Sequence, residues 1–378
     1  MDDADATRSE PMDARPSSSH RPRRLLIAAF VAVAVIGGLV GGSVVALVNG
    51  SGSSGGALGD NTRATCAATA VAEKVLPSVV TILTSSNEGG GNGSGQIIRS
   101  GGYILTNDHV IAAAYDGGQV SVLYSDGTTS PATIVGRDPA TDLAVVKAAD
   151  EAQGRPLIPI GSSGALRVGQ PVVALGAPLG LYGTVTAGIV SALDRYFPGP
   201  AETGGQEAHF IDAIQTDASI NPGNSGGALV DCAGRLVGVN SVIATVPNSA
   251  GQSGGGSVGL GFAIPVDLAI PLAEELIATG RVNHPAFGLR AQPIPAFAAE
   301  ELGVAAGLFV TEVDPGGPAD QAGVARGDVI TEVEGQQATG LAVLVKETLT
   351  RQAGDAVAIT YVRDGTSVTT NVMLGSGP

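Results

Sequence analysis

Gly223-Asn224-Ser225-Gly226-Gly227-Ala228-Leu229-Val230 holds the choice between two folds. A serine in G-x-S-x-G spacing is presented either on a sharp strand-to-helix turn or in a loop between strands. Here Ala228-Leu229-Val230 is followed by Asp231-Cys232-Ala233-Gly234 and then Arg235-Leu236-Val237-Gly238-Val239, which reads as strand, tight turn, strand. The strand-to-helix alternative also needs an acid and a histidine later in the chain. The only histidine after Ser225 is His284, in a segment that reads as a connection between domains. The serine therefore belongs to a β protein.

Two further segments complete a chemical set. Thr106-Asn107-Asp108-His109-Val110 supplies a histidine, and Thr141-Asp142-Leu143-Ala144-Val145 supplies an aspartate. A serine hydroxyl is a weak nucleophile at neutral pH and needs a base beside it. An imidazole titrates near that pH, so it can take the proton and later return it to a leaving amine. A carboxylate behind the imidazole fixes its tautomer and stabilises the imidazolium. The assignment is Ser225 as nucleophile, His109 as general base and acid, and Asp142 as orienter. Each segment alone could be a plain turn, a core histidine or an N-cap; together, in the order His, Asp, Ser, they match the chain order of chymotrypsin-like proteases.

With Gln215-Thr216-Asp217-Ala218-Ser219-Ile220-Asn221 before the nucleophile and Gly261-Phe262-Ala263-Ile264-Pro265 after it, these segments resemble the HtrA family of serine proteases. The resemblance runs from about Val71 to the C-terminus. It implies an oxyanion hole built from the amides of Gly223 and Ser225, with Asn224 forming the intervening turn. In trypsin-type enzymes an Asp six residues before the nucleophile draws in Lys or Arg. That position here is Ser219, followed by apolar Ile220. These two are the candidate S1 residues, and they favour cleavage after small or medium aliphatic side chains.

Composition narrows the partners. The net charge of −15 opposes nucleic-acid binding, which needs a basic face. No His/Cys cluster at metal-ligand spacing and no phosphate-cradling glycine loop with its Lys occurs, so neither metal nor cofactor is expected. His209, a lone loop histidine, reads as solvent-exposed. Residues 25–48 are an uncharged apolar run. As a helix they would reach roughly 36 Å, enough for a hydrocarbon core of about 30 Å. Arg21, Arg23 and Arg24 precede the run and no Lys or Arg follows it until Arg63. The expected topology is a single-pass anchor in the cytoplasmic membrane with the N-terminus inside and the catalytic domain outside. A cleaved signal peptide is the alternative, with a shorter apolar core and a small-x-small site. Cys66 and Cys232 both fall on the outer side, where a disulfide is permitted. A bridge stapling the N-terminal strap to the protease core is expected; two free thiols are the alternative.

The expected organisation is a polar cytoplasmic tail (1–24), the membrane helix (25–48), a Gly/Ser-rich linker (49–63), an all-β protease domain (64–281) and an α+β domain (282–378). Strands are expected at 79–83, 95–98, 103–106, 120–123, 132–138 and 143–147, then at 171–175, 184–193, 211–216, 228–230, 236–242 and 261–264. Turn signals at short intervals give two small antiparallel barrels, the chymotrypsin-like double barrel, with the three residues at their junction. A helix is expected over 265–279. Beyond it, Gly323…Gly327-Asp328-Val329-Ile330, a helix at 341–352 and a hairpin across Asp364-Gly365 resemble the PDZ domain attached to HtrA proteases. Such domains take a C-terminal peptide as an added strand, its carboxylate held by a φ-Gly-φ loop. That loop would be Phe287, Gly288 and Leu289, with a plain inter-domain turn as the alternative.

The resemblance further implies an ATP-independent endopeptidase of envelope quality control and stress response, acting on misfolded or signalling proteins and assembled as a homotrimer. A single PDZ domain and a short Gly-rich loop at 85–95 fit a tethered trimer better than a cage. The loops at 196–208 and 245–258 are expected to order the oxyanion hole when peptide docks. The competing function is a PDZ binding or chaperone module in which proteolysis is minor.

Overall fold

The computed structural model describes residues 66–86, 89–115, 117–177, 183–201, 207–243 and 257–377. The tail, the apolar run at 25–48 and the loop at 245–256 lie outside them. Among the described residues no helix is long and apolar enough to cross a membrane.

A short helix, α1 (Ala68–Val75), precedes the first six strands. These are β1 (Val79–Ser86), β2 (Gly89–Arg99), β3 (Tyr103–Thr106), β4 (Gln119–Leu123), β5 (Thr129–Asp138) and β6 (Leu143–Ala148), with helix α2 (Asp108–Tyr115) after β3. The second six are β7 (Pro171–Gly176), β8 (Thr184–Ala201), β9 (Glu207–Thr216), β10 (Ala228–Asp231), β11 (Leu236–Ile243) and β12 (Gly261–Pro265), followed by α3 (Val266–Thr279). The first set closes as β1-β2-β3-β6-β5-β4 and the second as β7-β8-β9-β12-β11-β10, so one barrel topology occurs twice.

The strands read as unbroken apolar runs because both faces of many are buried. Successive side chains on a strand point to opposite faces. In β7, Val172 and Ala174 fill the second barrel while Val173 and Leu175 pack against Val71 and Val75 of α1. In β6, Ala144 and Val146 fill the first barrel. Leu143 and Val145 face outward to meet Phe210, Val239, Ile264 and the α3 residues Ala269 and Leu272. That shared core fixes one barrel against the other and so sets the cleft between them.

Two expected loops are strand arms instead. Residues 89–95 pair with β1 in register from Ser86↔Gly89 to Val80↔Gly95. Glycine has low strand propensity, but here the neighbouring strand supplies every pairing. Likewise β8 and β9 extend past the barrel as a hairpin, with Pro198 opposite His209 and Ala201 opposite Glu207.

The C-terminal domain is built from β13 (Pro285–Ala286), β14 (Leu289–Ile294), α4 (Ala296–Leu302), β15 (Gly307–Val313), α5 (Pro318–Gln321), β16 (Val329–Val333), β17 (Gln336–Gln337), α6 (Ala342–Thr350), β18 (Ala356–Arg363), β19 (Thr366–Met373) and β20 (Gly375–Ser376). Its main sheet runs β14-β15-β16-β18-β19, with β14 at an edge. Phe287, Leu308, Val310, Ile330, Leu344 and Ile359 are in its core. Asp328 is buried and receives two hydrogen bonds from Arg363 (2.6 and 2.7 Å) and one from the Ala325 amide (2.8 Å), which pins the Gly327-Asp328 turn.

The described residues belong to one compact unit. Helix α6 meets the protease domain directly: Leu349 packs with Ala140 and Ile211, and Lys346 pairs with Asp212 at 2.8 Å.

Cys66 and Cys232 are joined by a disulfide across 166 residues, tying the residues before α1 to the β10–β11 turn. Removing such a link enlarges the unfolded ensemble and costs about 3 kcal/mol. Cys66→Ser is expected to lower the thermal unfolding midpoint, and reductant should lower that of the unmodified chain but not of the variant. Calorimetry with and without reductant checks this.

Candidate active site

His109 is placed by the end of β3. Thr106 and Asn107 are fully buried, and the chain enters α2 at Asp108, so His109 stands in the first helical turn at the barrel rim. Asp142 lies in the turn between β5 and β6, with φ at +57°, a region that disfavours most L residues but is tolerated by Asp. The turn is held in several ways. The Asn107 side-chain amide (2.8 Å) and the Asp108 amide (3.2 Å) both donate to the Asp142 carbonyl.

The Asp142 carboxylate is 4 % exposed, and burying a charge is costly unless it is hydrogen-bonded. His109 Nδ1 lies 2.9 and 3.0 Å from its two oxygens, and the His109 amide donates to Oδ1 at 3.1 Å. From the second barrel, Ser241 Oγ donates to Oδ2 at 2.6 Å. The carboxylate thus links residues from both barrels. Next to it, burial pushes the Asp108 carboxyl above the usual range even though Arg137 forms a two-pronged hydrogen bond with it (2.5 Å each).

Ser225 sits in the loop between β9 and β10. Its hydroxyl donates to the Ser241 carbonyl at 3.0 Å, and its own carbonyl accepts from the Ser94 amide at 2.8 Å. Asn224, Gly226 and Gly227 spend their amides on Asn221, Asn240 and Asn224 carbonyls. The amides of Gly223 and Ser225 have no acceptor among the described residues. Among the described residues the serine's own amide and that of Gly223 are thus two unspent donors. Gly226 has φ +79°, and a Cβ there would overlap Ser94 O and Thr106 Oγ1, so only glycine allows β2 and the serine loop to approach this closely.

His109, Gly223 and Ser225 line one cleft of about 760 Å³, together with Asn92 of β2, Ala113 of α2 and Gly118. Chemically, the arrangement offers a hydroxyl, an imidazole backed by a buried carboxylate, and two unspent amides in a space open to a chain.

The other sequence candidates fall as follows. Ser219 is exposed, while Ile220 is 1 % exposed and packs into the second barrel against Leu229 and Ala263, with its tip beside Gly261. Ile220 therefore borders the region as a buried wall. Phe287 is 4 % exposed in the C-terminal core, Gly288 has φ +68° with Pro318 where a Cβ would go, and Leu289 begins the edge strand β14. The Phe287 and Gly288 carbonyls accept from Ala319 and Asp314 amides (2.9 Å each), while their own amides have no acceptor among the described residues. Among the described residues no cluster of three or more His, Cys, Asp or Glu is placed to hold a metal ion. The sequence reading missed Ser241 and Ser94, since nothing near either in the chain marks it.

Ser94 is fully buried; its hydroxyl donates to the Gly223 carbonyl (2.6 Å) and accepts from the Ala177 amide (2.8 Å). Ser94→Ala would leave both partners unsatisfied and loosen the loop carrying Gly223. Steady-state kinetics are expected to show kcat falling roughly tenfold with KM little changed.

Known proteins agree with this architecture. Residues 93–239 match the trypsin-like peptidase domain and residues 285–374 the PDZ domain. Serine protease PepD of Mycobacterium tuberculosis is 42 % identical over 325 residues, covering 78 % of this chain and 70 % of that protein. A probable periplasmic DegP-like serine endoprotease of Halomonas elongata is 37 % identical over 288 residues; the match spans 76 % of this chain and only 56 % of that longer protein. Among solved structures, the HtrA-type protease AlgW with a tripeptide has a TM-score of 0.65 at 36 % identity, covering 82 % of this chain and 97 % of that one. The serine endoprotease of Yersinia pestis has a TM-score of 0.60 at 34 % identity, covering 82 % and 98 %. A double barrel of the trypsin type, a PDZ domain and these relatives together place the chain in the HtrA family of serine endopeptidases.

Proposed function

We propose that this chain is an envelope-facing, membrane-anchored endopeptidase that cleaves misfolded or regulatory proteins through Ser225, His109 and Asp142. The observation that carries the reading is the His109–Asp142 pair at 2.9 Å on the same cleft as Ser225. Reaction begins as the Ser225 hydroxyl turns from the Ser241 carbonyl to the His109 ring. Ser225 Oγ attacks the scissile carbonyl and His109 takes its proton, with Asp142 stabilising the imidazolium. The oxyanion is received by the Gly223 and Ser225 amides. His109 then protonates the leaving amine, and water, activated by the same ring, releases the acyl group.

No carboxylate occupies the Ser219 position, and Ile220 is apolar and buried, which supports a P1 preference for small or medium aliphatic residues. The unspent amides at Phe287 and Gly288 and the edge strand β14 support capture of a peptide C-terminus, with the carboxylate at that loop and the peptide adding to the sheet. Contact between α6 and β9 supports regulation of cleavage by that event. The apolar run at 25–48 and its flanking arginines support the anchor, and the family supports a homotrimer.

The test is cleavage of β-casein by the full chain in detergent, beside Ser225→Ala, with and without peptides ending in apolar residues. Cleavage should be lost in the variant, rise with peptide, and fall mainly after Val, Ala or Leu. Casein cleavage that persists in Ser225→Ala would remove Ser225 from its role, and mainly Lys or Arg at P1 would remove the S1 assignment. Peptide binding without cleavage in either protein would favour the binding-module reading.

A further inference from the structure

His284 lies between the two domains, its ring against the protease domain and its backbone against the end of the PDZ domain. Its ring Nε2 is 2.9 Å from Asp138 Oδ2. Its backbone carbonyl accepts from the Gly377 amide at the end of the PDZ domain. Asp138 is the last residue of β5, is 4 % exposed, and pairs with Leu143 across the turn that presents Asp142. Inside that turn, Thr141 Oγ1 donates to the same Asp138 oxygen at 2.5 Å, and the Thr141 amide donates to the Asp138 carbonyl at 3.3 Å. Thr141 is the neighbour of Asp142. On the other side of the turn, the His209 amide of β9 donates to the Ala140 carbonyl at 2.8 Å.

We propose that His284 is a positioning residue for the protease reaction: as an imidazolium it donates to Asp138 and so braces the turn that presents Asp142 from the start of the PDZ domain. The inference rests on the assignment of Asp142 as the orienting carboxylate.

The surroundings favour that charged form. Burial opposes it, but the Asp138 hydrogen bond and charge, the Thr348 backbone and Glu275 of α3 outweigh burial and raise the pKa above the usual histidine range. Of the charged residues flanking Thr348, Lys346 is paired with Asp212 and Glu347 with Arg351. The sign follows from the raised value. The stabilisation is fully present below the ordinary histidine pKa and is lost as pH rises through the folded one. Since His109 must be neutral to act as base, kcat should climb with pH as His109 deprotonates and then descend as His284 does.

The experiment measures kcat and KM across about pH 6 to 9 for the full chain and for His284→Gln and Asp138→Asn, with a saturating PDZ peptide. Expected for His284→Gln is a kcat roughly tenfold lower, KM within about twofold, and no descending limb. Asp138→Asn should move that limb to lower pH, and the double variant should lose no more than the worse single one. A role confined to folding would lower the unfolding midpoint without changing the shape of the profile, which overturns the proposal. So would a variant with unaltered kcat and profile. Nitrogen-15 NMR of the unmodified chain decides the matter even if a variant does not fold. His284 must be doubly protonated at neutral pH and titrate with the descending limb; a neutral tautomer there contradicts the proposal. Activity indifferent to Asp142→Asn would instead undo the underlying site assignment.

Discussion

The structure turns on keeping one carboxylate, Asp142, charged and buried at the seam between two barrels. Desolvating that charge is tolerable only because His109, the His109 amide and Ser241 all donate to it. Those donors come from the start of α2 and from β11, so they converge only if the barrels dock in one way. The docking is supplied by Leu143 and Val145 on one side and Phe210, Val239 and Ile264 on the other. Apolar packing thus holds the polar site together, and a positive φ at Asp142 is part of what that packing sustains.

The duplicated barrel explains why so much of the fold was legible. Buried strands leave continuous apolar runs, and Gly- and Asp-rich turns punctuate them, so β3, β6, β7 and β12 are visible in the sequence nearly residue by residue. The candidate residues His109, Asp142 and Ser225 stand out for another reason: each sits in a local backbone setting that leaves a short motif. Contacts spanning long stretches leave none. Ser241 reaches Asp142 across 99 residues, Ser94 reaches Gly223 across 129, and His284 reaches Asp138 across 146. The Gly89–Gly95 arm of β2 was missed because its strand character comes from pairing with β1, and β14 because Pro293 breaks the expected pattern in what proves to be an edge strand.

Several contacts that join the PDZ domain to the protease reach strands or turns leading to the candidate site. Leu349 meets Ala140, two residues from Asp142, and Lys346 meets Asp212 in β9, the strand that leads to the serine loop. Helix α6 is thereby linked to both sides of the seam between the barrels.

Covalent labelling by a fluorophosphonate, with the modified residue located by peptide mass spectrometry, addresses the central assignment most directly. Modification confined to Ser225, and slowed by orders of magnitude in Asp142→Asn, is the expected result. No modification of Ser225 in the peptide-saturated protein, or equal labelling with and without the Asp142 carboxylate, would contradict it.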